Sequence, residues 1–438
     1  MVLPDPYYPR CTVVLNVLME DYGTGVAQSY EIQAIPREVE ILRNDHRTAD
    51  TCKITLDLRD WPFDPRTFRS CRVTVCVGDV LFPTGALVLS DAQFVGFVDT
   101  PESKRSDSGD TVTLECRDYT SVFLDQRWDG SAIDISQPLQ TVVDSIVAMV
   151  AGADALTVGY SLGASTTVLA LAVGRAKFVP RQGDDVWTVL VDLCGRVGLI
   201  PVFQLDLLLI LTPDDFGADR TAFYATTLIV PQTAAFVFGE NLSSLSYRRK
   251  FREARSMQVE VRAYDETKRL AQSALYPPLP IAVKQSVSTA GVVKTTVAPI
   301  LPWFVSGTYT APDLLAIAEK IWKEAARQEI EIDIETEHMR DSGGLSCVRI
   351  GNGTRVTITM ATTITSDIAG MSPGEAIAKL VSSDRPLALD VATAFVASIT
   401  SANVLIVQFY VARATHQWSR ERGYSCAITA INYVGGAA

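Results

Sequence analysis

With 438 residues, 47% of them hydrophobic and 20% charged, the chain is long enough for two or three domains with proper cores and too apolar for intrinsic disorder. Its formal net charge of −11 argues against a general nucleic-acid binder, which carries a basic stripe, while leaving room for local basic patches. Eight cysteines without a CxxC pair, and only three histidines, argue against a zinc site, so no metal or cofactor is expected.

Most cysteines stand where Val or Ala would fit, as in Val73-Thr74-Val75-Cys76, which predicts buried free thiols and a reducing compartment. The N-terminus shows no charged leader ahead of an apolar run. The most apolar stretch, Leu199 to Leu211, is broken by Pro201, Gln204 and Asp206. A soluble chain without membrane insertion is the expectation.

Residues 11–119 read as strands. Lys53-Ile54-Thr55-Leu56-Asp57-Leu58-Arg59 and Arg72-Val73-Thr74-Val75 alternate strictly, the period of half-buried antiparallel strands. Turn residues such as Asn44-Asp45 and Asp107-Ser108-Gly109-Asp110 separate them, favouring a barrel or sandwich. From about residue 126 the pattern changes to a small α+β region reaching about 238. There a helix starts near Ser136 and Pro138, carrying Leu139, Val142, Val143, Ile146 and Val150. A second helix opens at Asp184 and stops at Gly198. A hairpin of Leu199–Phe203 and Leu207–Leu211 follows.

Strand character returns at Ser246, with Met257, Val259 and Val261 alternating against polar neighbours. A helix is predicted from about Pro312 to Gln328, then an alternating strand, Ile330 to Glu337. Ser372-Pro373-Gly374-Glu375 is a capping box that opens a helix; with a second near Leu389–Ile399 it forms an insertion at about 366–400.

The end of the chain echoes its beginning. Gln93–Asp99 leads through a polar loop, 101–110, into Thr111–Tyr119; Gln408–Arg413 leads through Thr415 to Gly423 into Tyr424–Tyr433. Two long hairpins of the same kind, each closing a β-rich region, suggest a repeat used for assembly.

Four patterns bear on chemistry. Gly159-Tyr160-Ser161-Leu162-Gly163 matches the GxSxG nucleophile elbow, which needs a strand before Ser161, a helix after it and a histidine base such as His338 or His416. The region before it is antiparallel β and Ala164–Val173 is rich in Thr and Val, so no catalytic residue is expected. His46, His338 and His416 are read as surface or turn residues. Glu331, Asp333, Glu335 and Glu337 fall on one face of a strand whose other face is Ile330, Ile332 and Ile334. Carboxylates two apart on a strand do not converge on an ion. The face is then either solvated or an acidic channel wall that keeps duplex DNA from sticking. The basic cluster Arg248, Arg249, Lys250 and Arg252 is a candidate docking surface, or a guarded strand edge.

The order of elements resembles the trimeric baseplate hub proteins of contractile phage tails and related injection machines, the late-control-D-like family. The resemblance is carried by Asp185–Cys194 with the Asp206–Ile210 hairpin, by the Ala311–Gln328 helix with the acidic strand and Val348–Val356, and by Phe409–Tyr424. The segment at about 366–400 departs from the family pattern. The resemblance implies an α+β fold, mainly antiparallel β. A tube-like β-barrel would occupy 1–125, a small middle domain 126–238, and a second barrel 239–438, with helical insertions at about 311–328 and 366–400. It further implies a homotrimer that presents six barrels around a DNA channel, in a virion tail baseplate assembled in the host cytoplasm. Its partners would be the tail tube protein, central spike, baseplate wedge and tape measure proteins. A distal tail or receptor-binding tail-tip protein is the alternative.

Overall fold

The computed structural model describes residues 9–20, 27–61, 68–79, 92–105, 109–150, 156–161, 163–167, 177–180, 183–212, 233–237, 241–249, 258–265, 270–278, 282–287, 293–297, 300–306, 311–327, 330–338, 347–361, 375, 378 and 404–432. The expected insertion at about 366–400 lies outside the described residues apart from Glu375 and Ala378. The chain is α+β and mainly antiparallel β, as the period-two alternation predicts.

Seven strands come first: β1 (Pro9–Glu20), β2 (Ala27–Ala34), β3 (Glu38–Arg43), β4 (Thr51–Asp57), β5 (Phe68–Asp79), β6 (Ala92–Lys104) and β7 (Thr111–Asp118). Their β-branched positions alternate with polar ones. Val73 and Val75, Cys52 and Ile54, and Val112 and Leu114 all turn inward, while Lys53 and Glu115 stay exposed.

The middle region holds α1 (Thr120–Asp125), β8 (Ile133–Asp134), α2 (Leu139–Met149), β9 (Thr157–Tyr160), β10 (Lys177–Phe178), α3 (Val186–Arg196), β11 (Ile200–Gln204) and β12 (Leu207–Leu211). The cap of α3 is Asp185, one residue later than the predicted start; its carboxylate accepts from the Thr188 N–H at 2.7 Å and the Thr188 hydroxyl at 2.9 Å. Gly198, at φ 78°, closes the C-terminal side of α3. Ser136 does not cap α2, because its hydroxyl is held by Asp134 at 2.6 Å. The unbroken apolar run of β12 follows from burial on both faces. Leu208 and Ile210 join the core under α2 and α3, and Leu207, Leu209 and Leu211 pack on Val202.

The last region contains β13 (Thr233–Val237), β14 (Ser244–Arg249), β15 (Gln258–Asp265), β16 (Leu270–Tyr276), β17 (Ala282–Val287), β18 (Val293–Val297), β19 (Ile300–Ser306), α4 (Ala311–Arg327), β20 (Ile330–Thr336), β21 (Arg355–Ala361), β22 (Val404–Ser419) and β23 (Gly423–Asn432). Helix α4 does not stand alone: Leu314 and Ala318 pack on Val259, Val261 and Ala263 of a separate sheet ordered β16-β15-β19.

Thirteen strands share one sheet, ordered β14-β20-β23-β22-β3-β4-β7-β6-β5-β1-β2, with β21 on β22 and β13 on β21, while β10-β8, β11-β12-β9 and β17-β18 form small sheets of their own. One hydrophobic core runs beneath it, from Val13 and Ile54 to Phe236, Ile334, Trp418 and Ile428. The middle region packs on the outer side of β5 and β6 through Cys76, Ala92 and Val95. Trp187 ties it to the β3–β4 turn by donating to the His46 carbonyl at 3.0 Å. All eight cysteines are free and buried; Cys52 and Cys116 stand opposite each other in the ladder, their thiols pushed up by burial. No helix among the described residues is long and apolar enough to cross a membrane.

Candidate assembly surface

The two hairpins noticed in the sequence are the centres of two matching β-units. The first runs β3-β4-β7-β6-β5-β1 and the second β14-β20-β23-β22-β21-β13. Chain order matches as well, once β2 and the β15–β19 segment are set aside as additions. Registers agree around the hairpins, although the shift between Val75 and Cys76 in the β5–β6 ladder has no counterpart in β21–β22. Ile54 faces Leu114 and Val39 in the first unit; Ile334 faces Ile428 and Leu245 in the second. Arg72 opposite Phe97 corresponds to Arg355 opposite Tyr410. Both hairpins bulge at the same point, between Val98 and Thr100 and between Val411 and Arg413. Bulges redirect a strand, so a repeated bulge marks a repeated shape. The match ends at the last strand, where β1 pairs β5 antiparallel but β13 pairs β21 parallel.

The bulge lets β22 serve two neighbours. Its first half, Val404–Tyr410, pairs with β21; its second half, Ala414–Ser419, pairs with β3 of the first unit. That seam makes two units into one sheet. Arg420 reinforces it, donating from its main chain to the Arg37 carbonyl at 3.1 Å and from Nε to the Pro36 carbonyl at 2.9 Å. Across the seam, Gln417 Nε2 donates to Glu40 Oε2 at 3.1 Å.

The sequence pattern predicts a turn at His416. It lies within β22, buried, because the strand runs on to Ser419 with β23 and β3 as partners. Its Nε2–H donates to the Ile350 carbonyl at 2.7 Å and Nδ1 accepts from the Tyr424 hydroxyl at 2.9 Å. Burial and the nearby Arg43 lower its pKa to about 3, so this imidazole is neutral and fully engaged.

Glu331, Asp333 and Glu335 share the polar face of β20, opposite the buried Ile332 and Ile334. The strand ends at Thr336, and Glu337 lies exposed just past it. The acidic and basic candidates meet here. Arg248 on β14 sits in register with Glu331, and its guanidinium reaches Asp333 at 2.5 Å and Glu331 at 3.4 Å. Burial pushes Asp333 up, but Arg248 and the Thr429 hydroxyl, at 2.8 Å, hold it below its ordinary value. Arg249 ends β14, while Lys250 and Arg252 lie outside the described residues. The same open face continues across the seam with Glu38, Glu40, Lys53 and Glu115, an acidic surface with interspersed cations.

Ser161 does not form an elbow. It follows β9 but precedes a short 3-10 turn, Ala164–Thr166, and its side chain is buried, with Oγ accepting from the Thr212 N–H at 2.8 Å. Ser161→Ala is expected to cost about 0.5–1.5 kcal/mol by removing that hydrogen bond. Wild type and variant are both expected to leave a generic ester untouched; hydrolysis lost in the variant alone would make Ser161 catalytic. Among the described residues no group of three His, Cys, Asp or Glu could hold a metal ion.

A mainly antiparallel sheet built from a doubled unit, with a small α+β module on its back, defines the class of fold. Two solved structures share it along nearly their whole length. A tail protein from Neisseria meningitidis MC58 is 14% identical at a TM-score of 0.58, covering 97% of this chain and 97% of its own. The 43 kDa tail protein of prophage MuSo2 from Shewanella oneidensis is 12% identical at 0.54, covering 96% and 98%. No family model and no curated protein matches the sequence.

Proposed function

We propose that the chain is the hub of a phage-type tail: a homotrimer of two-unit chains that joins a central spike to the tail tube and lets DNA pass through its middle. The observation that carries this reading is the β22–β3 seam. Three chains, each already joining two matched units edge to edge, give six units in a ring, so one body meets threefold and sixfold neighbours. The fold likeness to two tail proteins supports it. In this reading residues 1–125 and 239–438 are the two ring-forming domains and 126–238 the middle one. Tube, spike, wedge and tape measure proteins are the partners, in the baseplate of the virion tail. Function lies in surfaces, with no catalytic centre.

The polar face around Glu331, Asp333, Glu335 and Glu337 becomes the channel wall, which repels phosphates and lets a duplex slide. Changing Glu335 and Glu337, the two that do not pair with Arg248 in the ion pairs described, to lysine is expected to slow DNA ejection while assembly proceeds. Unchanged ejection would put the face outside the lumen. Light scattering and electron microscopy of the purified protein test the assembly itself: a trimer with six-unit rings is expected. A hexamer would favour a distal tail protein instead.

A further inference from the structure

The seam inside one chain is also a template for a joint between chains. In the second unit, the half of β22 beyond the bulge is covered by β3. In the first unit the matching half of β6, Thr100–Lys104, pairs with β7 on one side and, among the described residues, with no strand on the other. The counterpart of β3 is β14, which ends the sheet and is paired only to β20 among the described residues. Each chain thus offers, at two separate edges, both halves of an interface that it completes internally elsewhere.

We propose that β14 of one copy pairs antiparallel with the outer half of β6 of a second copy, repeating the β22–β3 seam between subunits. The proposal rests on the homotrimer reading for the number of copies, but the strand pairing follows from the repeat alone. Carrying the seam register across sets the partners. His416 opposite Ile41 becomes Ser103 opposite Tyr247, Gln417 opposite Glu40 becomes Lys104 opposite Ser246, and Thr415 opposite Leu42 becomes Glu102 opposite Arg248. The last pair joins opposite charges, both exposed in the single chain and both on the polar face. Arg248 would then be ringed by Glu331, Asp333 and Glu102. Pro101 lacks an N–H, so it withdraws a donor from this strand, and lone edges carrying proline or charge resist indiscriminate pairing. The joint is therefore selective: it needs a partner edge whose charges fit.

Full-length protein carrying both Lys104→Cys and Ser246→Cys tests the register. After mild oxidation it is expected to form disulfide-linked species that close at a covalent trimer and return to monomer with reductant, while either single variant stays uncrosslinked. Glu102→Arg is expected to weaken association roughly two- to fivefold, the range for an exposed ion pair. A native trimer that fails to crosslink overturns the strand pairing and leaves the trimer standing. Crosslinked rings of another number keep the pairing and overturn the trimer. A chain that stays monomeric overturns both.

Discussion

Gly96→Ala is expected to destabilise the protein by about 3 kcal/mol and to abolish ring assembly, because overpacking against backbone has nowhere to relax. A Cβ at residue 96 would stand 2.1 Å from the Arg117 carbonyl oxygen and 2.8 Å from the Phe94 ring. The backbone there is ordinary strand, so the requirement for glycine comes from the close approach of β7 rather than from conformational freedom. Separating β6 from β7 would also displace the bulge at Val98 and Thr100, on which the outer half of β6 depends. Chemical denaturation measures the loss, and mass by light scattering measures assembly. A change below about 1 kcal/mol would mean that the two strands move apart freely, against the stiffness expected of a packed core.

Asp118→Asn is expected to stabilise the protein at pH 7 and to flatten its pH dependence. Asp50 and Asp118 close the β4–β7 ladder, where the Asp118 N–H donates to the Asp50 carbonyl at 3.0 Å, so their side chains leave the sheet on the same side. Both line a cavity of about 70 Å³ where β3, the β3–β4 turn, β6, β7, α3, the β11–β12 turn and the loop before β21 converge. Arg43, Asp45, His46 and Arg349 share its wall. Burial pushes Asp50 up to about 6, against the pull of Arg43 and the Asn44 N–H and with some help from Asp45. Burial and the facing Asp50 raise Asp118 well above the carboxylate range, against its bonds from Thr120. Raised carboxyl pKa values mean that the folded chain holds protons the unfolded chain releases. Stability therefore falls as pH rises from about 4 through about 6, and the penalty persists above that, about 3 kcal/mol for the Asp50 shift alone. Asparagine mimics the protonated form: its Oδ1 can accept from the Thr120 N–H and its Nδ2 can donate to Asp50. Melting temperatures from pH 4 to 8 test this. If the variant keeps the wild-type slope and gains nothing at pH 7, the pair is not the source.

Local structure was largely readable from local patterns. The alternation of Lys53–Leu58, the spacing of Leu139, Val142, Val143 and Ile146, and the apolar arms about Gln204–Asp206 all correspond to elements, because periods of two and 3.6 report which face is buried. Local patterns mislead where neighbours distant in sequence decide. Thr415–Ser419 looks like a polar loop on its own, yet two flanking strands keep it extended and bury His416 and Trp418. The GxSxG pentapeptide carried no information about the turn that follows it. Placing Arg248 beside Glu331 and Asp333 required the β14–β20 pairing, which spans the whole α4 module.

From its residues alone, this chain had strands, helices, buried thiols and a hairpin that recurs. Tertiary structure decided that the two hairpins belong to matched six-strand units, and that β22 and β3 join them into one sheet. The reason is physical. A strand edge offers the same N–H and C=O groups whatever its side chains, so the choice of which edges meet leaves little trace in composition or period. It is settled by twist, bulges and the core beneath, which exist only once the chain has folded.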